Sequence, residues 1–192
     1  MAEEFLGDRK RVLEEEFFRK QERALIERLG AERARQTARQ ALAEASGVID
    51  EAVLTHLVDL GVQPDTLLAL RLVPLVEVAW ADRHLDEREK HAIVSALGAS
   101  GIAPESSAYA LVQSWLTTPP PPTMLSAWTA YVAGLCARLD PEERANLRST
   151  VIGAARAVAR AAGGVLGLAK ISAAEEEMLQ RLERAFSEPG RA

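Results

Sequence analysis

Residues 67–81, LLALRLVPLVEVAWA, constrain the fold more than any other part of the sequence, because they are apolar on nearly every side. A helix with one apolar stripe can lie at a surface, whereas a helix that is apolar all round must be buried between others. Pro74 lies inside this segment and is expected to kink the helix or split it in two. The sequence therefore predicts a buried central helix that is interrupted near Pro74.

The rest of the chain also favours helices. Alanine, leucine, glutamate and arginine, which are strong helix formers, dominate its 192 residues, and aromatic residues make up only 5%. No alternating apolar and polar run of useful length predicts a strand. Apolar residues account for 48% of the chain, which is enough to bury a core. The predicted class is all-α.

Glycines, prolines and capping residues divide the chain into segments. Gly30, Gly61 and Gly98 are expected to end helices, and TTPPPPT, residues 117–123, is expected to be non-helical. Besides the central helix, we expect helices at about residues 4–29, 31–45, 49–60, 86–97, 106–116, 123–139, 141–162 and 172–186.

Two of these helices begin in the same way. Asp86 is followed by Glu89, and Ser172 by Glu175, and both pairs fit the capping box, in which each side chain bonds to the other residue's backbone N–H. Each helix follows a long apolar helix and a loop. The sequence therefore predicts two related helix–loop–helix units, at roughly residues 66–97 and 142–186.

The residues at these two junctions resemble the TerB-like family of tellurite-resistance proteins. The resemblance is carried by VAWAD and LDERE (78–82 and 85–89), and by AAGG and ISAAEE (161–164 and 171–176). It covers about residues 65–187 and implies a compact domain of about seven helices. The family is linked to tellurite resistance and stress response, is not known as an enzyme class, and has acidic loop residues associated with metal ions.

The resemblance implies a domain at residues 64–188 and leaves residues 1–63 as an N-terminal helical extension. The expected architecture is a compact multi-helix TerB-like bundle of two helix–loop–helix units. Two positions depart from the family pattern. Arg83 replaces a glycine that would tolerate positive φ, and Leu168 stands where an aspartate would match Asp82.

The acidic junction has two interpretations. Asp82, His84, Asp86 and Glu89 could hold a divalent cation such as Ca²⁺ or Mg²⁺, although the loop offers few of the oxygens that Ca²⁺ requires and does not fit an EF-hand. Alternatively, Asp86 and Glu89 only cap the helix, and Asp82 and His84 are solvated. No other cofactor is indicated.

Glu77 is the only carboxylate in the buried central segment. A carboxylate there is costly unless it is paired, so we expect an ion pair with an arginine from another helix. A catalytic role in a cleft is the alternative. Nothing in the sequence resembles a nucleophile set with a base, and the chain is not expected to be an enzyme.

The first helix carries an apolar stripe that could bind a protein partner or a second copy of the chain, or could pack on the protein's own core. Its candidate interaction residues are Phe5, Leu6, Leu13, Phe17 and Phe18. Together with the TerB-like resemblance, from which the stress-response role is taken, the acidic junction and this stripe predict a non-enzymatic, TerB-like stress-response module acting through protein–protein interaction. The alternative is a divalent-metal-binding sensor that uses the acidic loop at residues 82–89.

Charge and composition argue against other classes. The net charge of −5 provides no basic field for nucleic acid. The longest nearly apolar stretch, residues 66–81, is too short for a comfortable membrane span and contains Arg71 and Glu77. The single cysteine, Cys136, cannot form an internal disulfide. With no apolar signal segment at the start, these features predict a cytoplasmic protein.

Overall fold

A computed structural model describes the backbone of residues 2–161 and 171–187, and the side chains of residue 16 and of residues 18–161 and 171–187. This part of the chain is helical and contains no strand, so the all-α prediction is confirmed. Its helices are α1 (Ala2–Ser46), α2 (Glu51–Asp59), a 3₁₀ helix (Leu67–Leu72), α3 (Val73–Ala79), α4 (Glu87–Ala99), α5 (Ser107–Trp115), α6 (Pro122–Cys136), α7 (Pro141–Ala161) and α8 (Ala173–Arg184).

The chain divides into two compact units, Met1–Gln40 and Ala41–Ala192. The first unit consists of α1 up to Gln40. Every side chain that the structure describes between residues 16 and 37 is exposed. Apolar side chains before residue 64, such as Leu42, Val53 and Leu57, belong to the core of the second unit. The boundary between the two units therefore lies after Gln40, earlier than residue 63. The predicted extent of a TerB-like domain, residues 64–188, stays a prediction.

In the second unit, α3 occupies the centre and packs against α4, α6, α7, α8 and the 3₁₀ helix. All of its residues except Glu77 are buried. Pro74 lies in the first turn of α3, where a missing N–H leaves no hydrogen bond unmade. The residues before it form the separate 3₁₀ helix. The predictions of a buried central segment and of a division near Pro74 are both confirmed.

Two glycines do not end helices as expected. Gly30 lies inside the continuous α1, and Gly98 lies inside α4. A glycine in a helix interior costs only about 1 kcal/mol, and strong helix formers on both sides outweigh it. The glycines that do follow helix ends have positive φ, as at Gly61 (73°) and Gly101 (69°). Gly61 thus confirms one prediction, and Gly101 replaces Gly98 as the terminator of α4.

The proline-rich segment also differs from the prediction at its end. Residues 117–121 are non-helical as expected. However, α6 begins at Pro122, whereas a helix that starts at Thr123 was expected. Pro121 is the N-cap, and no side chain caps this helix. Proline is tolerated at the first helical position because its φ is already helical and its N–H is not needed there. Residues 162–170, which include Leu168, lie outside the described residues.

Candidate functional site

The loop between α3 and α4 contains a left-handed residue, Arg83, at the position where the TerB-like pattern has a glycine. Arg83 has φ 68°, and it is the only non-glycine residue with positive φ in the described part of the chain. Its backbone N–H donates to the Trp80 carbonyl at 2.9 Å, and the His84 N–H donates to Asp82 Oδ1 at 2.9 Å. The loop therefore keeps a conformation that favours glycine without having a glycine there.

The predicted capping box at the start of α4 is present. Asp86 Oδ1 accepts from the Arg88 N–H at 2.7 Å, and Glu89 Oε2 accepts from the Asp86 N–H at 2.9 Å. These bonds satisfy backbone donors that have no acceptor within the helix. The interpretation of Asp86 and Glu89 as a helix cap is confirmed.

The second predicted capping box, at the start of α8, is also present. Ser172 Oγ accepts from the Glu175 N–H at 3.2 Å, and Glu175 Oε2 accepts from the Ser172 N–H at 2.6 Å. The two predicted helix–loop–helix units therefore share the device that starts their second helices.

The burial of both capping-box glutamates was not predicted. Glu89 is 3% exposed and Glu175 is 5% exposed, and they are the buried charged residues of the described chain. A signal for this exists in the sequence. Ile93 lies four residues after Glu89, and Leu179 lies four residues after Glu175, so each glutamate shares a helix face with a fully buried residue.

Negative charge surrounds Glu89. Burial raises the pKa of Glu89 from 4.5 to about 7, and the Asp86 N–H that it accepts lowers this pKa in part. The carboxylates of Glu175, Asp82 and Asp86 raise it further. Acidic groups from both helix–loop–helix units therefore act on one buried carboxyl, which can change its protonation near neutral pH.

The four predicted metal ligands differ in their surroundings. Asp82 and His84 are exposed, Asp86 is half-buried and Glu89 is buried. One oxygen each of Asp82, Asp86 and Glu89 already accepts a backbone N–H. Across residues 16–161 and 171–187, no group of three or more His, Cys, Asp and Glu side chains is arranged to hold a metal ion. Metal binding at this loop stays a prediction.

Glu77 is the second carboxyl with a strongly shifted pKa. Burial raises the pKa of Glu77 from 4.5 to about 7, and Arg181 of α8 lowers it in part. Its Oε1 is buried and has no hydrogen-bond partner among the described residues. Arg181 attracts Glu77 through its charge, but the two form no salt bridge in the described chain, and this attraction is smaller than the cost of burial.

The candidate interaction stripe is described only at Phe18, which is 68% exposed. Phe5, Leu6, Leu13 and Phe17 lie outside the described side chains. Further along α1, three more large apolar side chains are exposed, namely Leu25 (56%), Ile26 (62%) and Leu29 (50%). Phe18, Leu25 and Leu29 are spaced by seven and four residues, so they lie on one helix face.

Comparison with known proteins adds no relative. No family model matches the chain, and no curated protein or solved structure is significantly similar to it. Among the described residues, no helix combines the length and the apolar character that a bilayer crossing needs. The TerB-like resemblance therefore rests on the residues of the two junctions.

Proposed function

We propose that this chain is a non-enzymatic, TerB-like stress-response module that acts through a protein–protein contact made by α1. The observation that carries the proposal is the exposure of Leu25, Ile26 and Leu29, each at least half accessible, in the part of α1 that belongs to the unit Met1–Gln40. Clustered exposed apolar side chains favour an interaction surface over a purely solvated one.

Apolar side chains on one face of a helix become favourable when another helix covers them. The charged residues between them, such as Arg23, Glu27 and Arg28, keep the helix solvated until a partner binds. The partner is a second copy of the chain or another helical protein. Its place in a stress response, and a cytoplasmic location, follow from the resemblance and the composition.

Light scattering after size exclusion tests this contact for the full chain. We expect the triple variant Phe18→Ser/Leu25→Ser/Leu29→Ser to lose the self-association or partner complex that the wild type forms. Lys20→Ser/Glu27→Ser, which places serines on the same helix at exposed polar positions, is the matched control and should retain it. In cells that lack the native gene and are challenged with tellurite, the control should restore growth and the triple variant should not.

Deleting residues 1–40 tests whether α1 docks on a partner or packs on the protein's own core. If α1 serves a partner, the remaining unit should melt cooperatively, because its core is formed by residues from Leu42 onward. A wild-type protein that is monomeric and binds no partner, together with a truncated protein that is unfolded, would show that α1 supports its own fold. That pair of results would end the docking proposal.

A divalent-cation sensor at residues 82–89 is the second candidate, and one observation favours it. Glu89 is buried with Glu175, Asp82 and Asp86 as negative neighbours, and a cation would relieve their repulsion. Mg²⁺ can be held by one or two carboxylates while it keeps several waters. Ca²⁺ takes six to eight oxygens, whereas the described residues contain no group of three or more His, Cys, Asp and Glu arranged to hold an ion.

Thermal melting in EDTA, and then with Ca²⁺, Mg²⁺, Mn²⁺ and Zn²⁺ in turn, tests the sensor. An ion at one hundred times its Kd adds about 2.7 kcal/mol of stability. The wild type should gain this and Asp82→Ala/Asp86→Ala should not. Asp140→Ala removes the N-cap of α7, a comparable loss of capping away from Glu89, and should still respond. An absence of any ion-dependent shift in the wild type would reject the sensor.

A further inference from the structure

A cavity of about 370 Å³ lies in the second unit, lined by the 3₁₀ helix and by α3, α4, α6 and α7. This volume falls within the range of about 300–1,000 Å³ that small-molecule sites occupy. The described lining is mainly apolar and aromatic, with side chains that include Leu75, Trp128, Tyr131, Val132, Leu147 and Val151. Such a lining favours a ligand with a substantial apolar part.

The aromatic wall of the cavity is fixed by packing. Trp128 is only 2% exposed. Its ring packs edge-on against Phe186, with the ring centroids 5.9 Å apart and the planes at 70°. This is a favourable aromatic geometry that helps to hold the indole in place. The wall is therefore in place before a ligand enters, which lowers the entropic cost of binding.

One charged side chain lines this cavity. Arg71, on the 3₁₀ helix, is the only ionised residue among the described lining residues. It is exposed, and it forms no salt bridge with any residue that the structure describes. Burial raises the pKa of Tyr131, and the nearby positive charge of Arg71 partly opposes this. Arg71 and the Tyr131 hydroxyl therefore act in the same part of the cavity.

We propose that this cavity binds a small apolar monocarboxylate, of the medium-chain fatty acid class, with its chain against Trp128 and its carboxylate at Arg71. The planar guanidinium matches a carboxylate with two parallel hydrogen bonds, and the phenol of Tyr131 supplies a further donor. The cavity has no other described charge that could balance Arg71. Arg71 would repel a cationic amphiphile, and a neutral amphiphile could form no ion pair with it.

The volume sets the size of the ligand. At roughly 30 Å³ for each water-sized group in a liquid, a cavity of about 370 Å³ holds about a dozen such groups. Decanoate has this number of non-hydrogen atoms and is the probe we choose. This site lies within the second unit and does not depend on the function proposed for α1.

Titration calorimetry on the full chain tests the proposal with three probes of equal chain length: decanoate, decanol and decyltrimethylammonium. We expect decanoate to bind with a stoichiometry of one and at least tenfold more tightly than decanol, and decyltrimethylammonium not to bind. No saturable binding of decanoate at millimolar concentration would overturn the proposal. Equal affinity for decanoate and decanol would also overturn it, because the carboxylate would then contribute nothing.

Variants separate the roles of charge and cavity. Arg71→Gln should weaken decanoate at least tenfold and leave decanol unchanged, since a charge-assisted pair is the interaction lost. Arg88→Gln, which replaces an exposed arginine outside the lining, is the matched control and should change neither affinity. If both variants weaken decanoate equally, general charge attraction explains binding and the site is refuted.

A further variant fills the cavity. Ala154→Phe places a ring among the lining residues of α7 and should abolish binding of decanoate and decanol together. Circular dichroism and melting establish whether this variant folds. If it does not fold, the Arg71→Gln titration decides alone. A folded Ala154→Phe protein that binds decanoate as well as the wild type would place the ligand elsewhere and reject this cavity.

Discussion

The two helix–loop–helix units start their second helices with the same glutamate-to-N-cap bond but give their capping glutamates different neighbours. At α4 the N-cap is Asp86, and Asp82 lies in the loop before it, so Glu89 has two further acids close to it in sequence. At α8 the N-cap is the neutral Ser172. The comparison teaches that the capping bonds follow from local spacing, whereas the raised pKa of Glu89 comes first from its burial and then from the acidic groups that the fold brings near it.

The largest predicted effect tests whether the two helix–loop–helix units contribute equally to the core. Ile93 and Leu179 each lie seven residues after their N-cap, and both are 0% exposed. Ile93→Ala and Leu179→Ala should each lower the free energy of unfolding by about 2–5 kcal/mol, because each removes buried methyl groups and leaves a cavity. Urea denaturation at neutral pH measures both losses.

Val94→Ala is the control for this pair. Val94 lies beside Ile93 on α4 but is 36% exposed, so its truncation should change the unfolding free energy by only about 0.5 kcal/mol. A loss below about 1 kcal/mol for Leu179→Ala beside a full loss for Ile93→Ala would show that α8 is a lesser part of the core, and the equivalence of the units would fail.

The next effect is a dependence of stability on pH that comes from Glu89, in the first helix–loop–helix unit. The folded pKa of Glu89 is about 7 and its ordinary value is 4.5. Between these values the unfolded chain has lost the proton while the folded chain retains it, so stability falls as pH rises through this window. The full shift corresponds to about 3 kcal/mol. Glu77 has a pKa raised in the same direction and adds a second decrease.

Glu89→Gln should keep the capping bond, because glutamine also serves in a capping box, and should remove the Glu89 share of the decrease. Unfolding free energies measured from pH 4.5 to 8 should then show a markedly shallower slope than the wild type. Glu177→Gln, at an exposed position of α8, should leave the slope unchanged. Wild-type stability that is constant across this range would contradict the buried, protonated Glu89.

Local rules predicted the starts of α4 and α8 correctly. Asp86 and Ser172 were each expected as an N-cap, and each accepts a backbone N–H within three residues. Such a bond needs only the right residue at short spacing. Gly30 and Gly98 misled because a glycine ends a helix only where the chain turns left-handed, and neither does so.

Features that depend on packing between distant residues were not predicted. Apolar spacing could have placed Glu89 on a buried face, but Glu175 is 86 positions away and reaches Glu89 only through the fold. The same holds for Arg71 and Tyr131, which lie on the 3₁₀ helix and on α6. For α1, packing and docking were both expected as alternatives from the sequence, and the exposure of Leu25, Ile26 and Leu29 leaves docking a prediction.

The smallest predicted effect concerns the loop between α3 and α4, which lies in the first of the two helix–loop–helix units. Arg83 has φ 68°, whereas glycine occupies the other positive-φ positions of the described chain, Gly47, Gly61 and Gly101. A left-handed non-glycine residue costs roughly 1–2 kcal/mol, and glycine in the unfolded chain has an entropy that opposes folding by roughly 0.5–1 kcal/mol. Arg83→Gly should therefore stabilise the protein by about 0.5–1 kcal/mol, measured by urea denaturation. Arg83→Ala retains the strained conformation and should change stability little, so equal stabilisation by both variants would mean that the arginine side chain, and not the backbone, carries the cost.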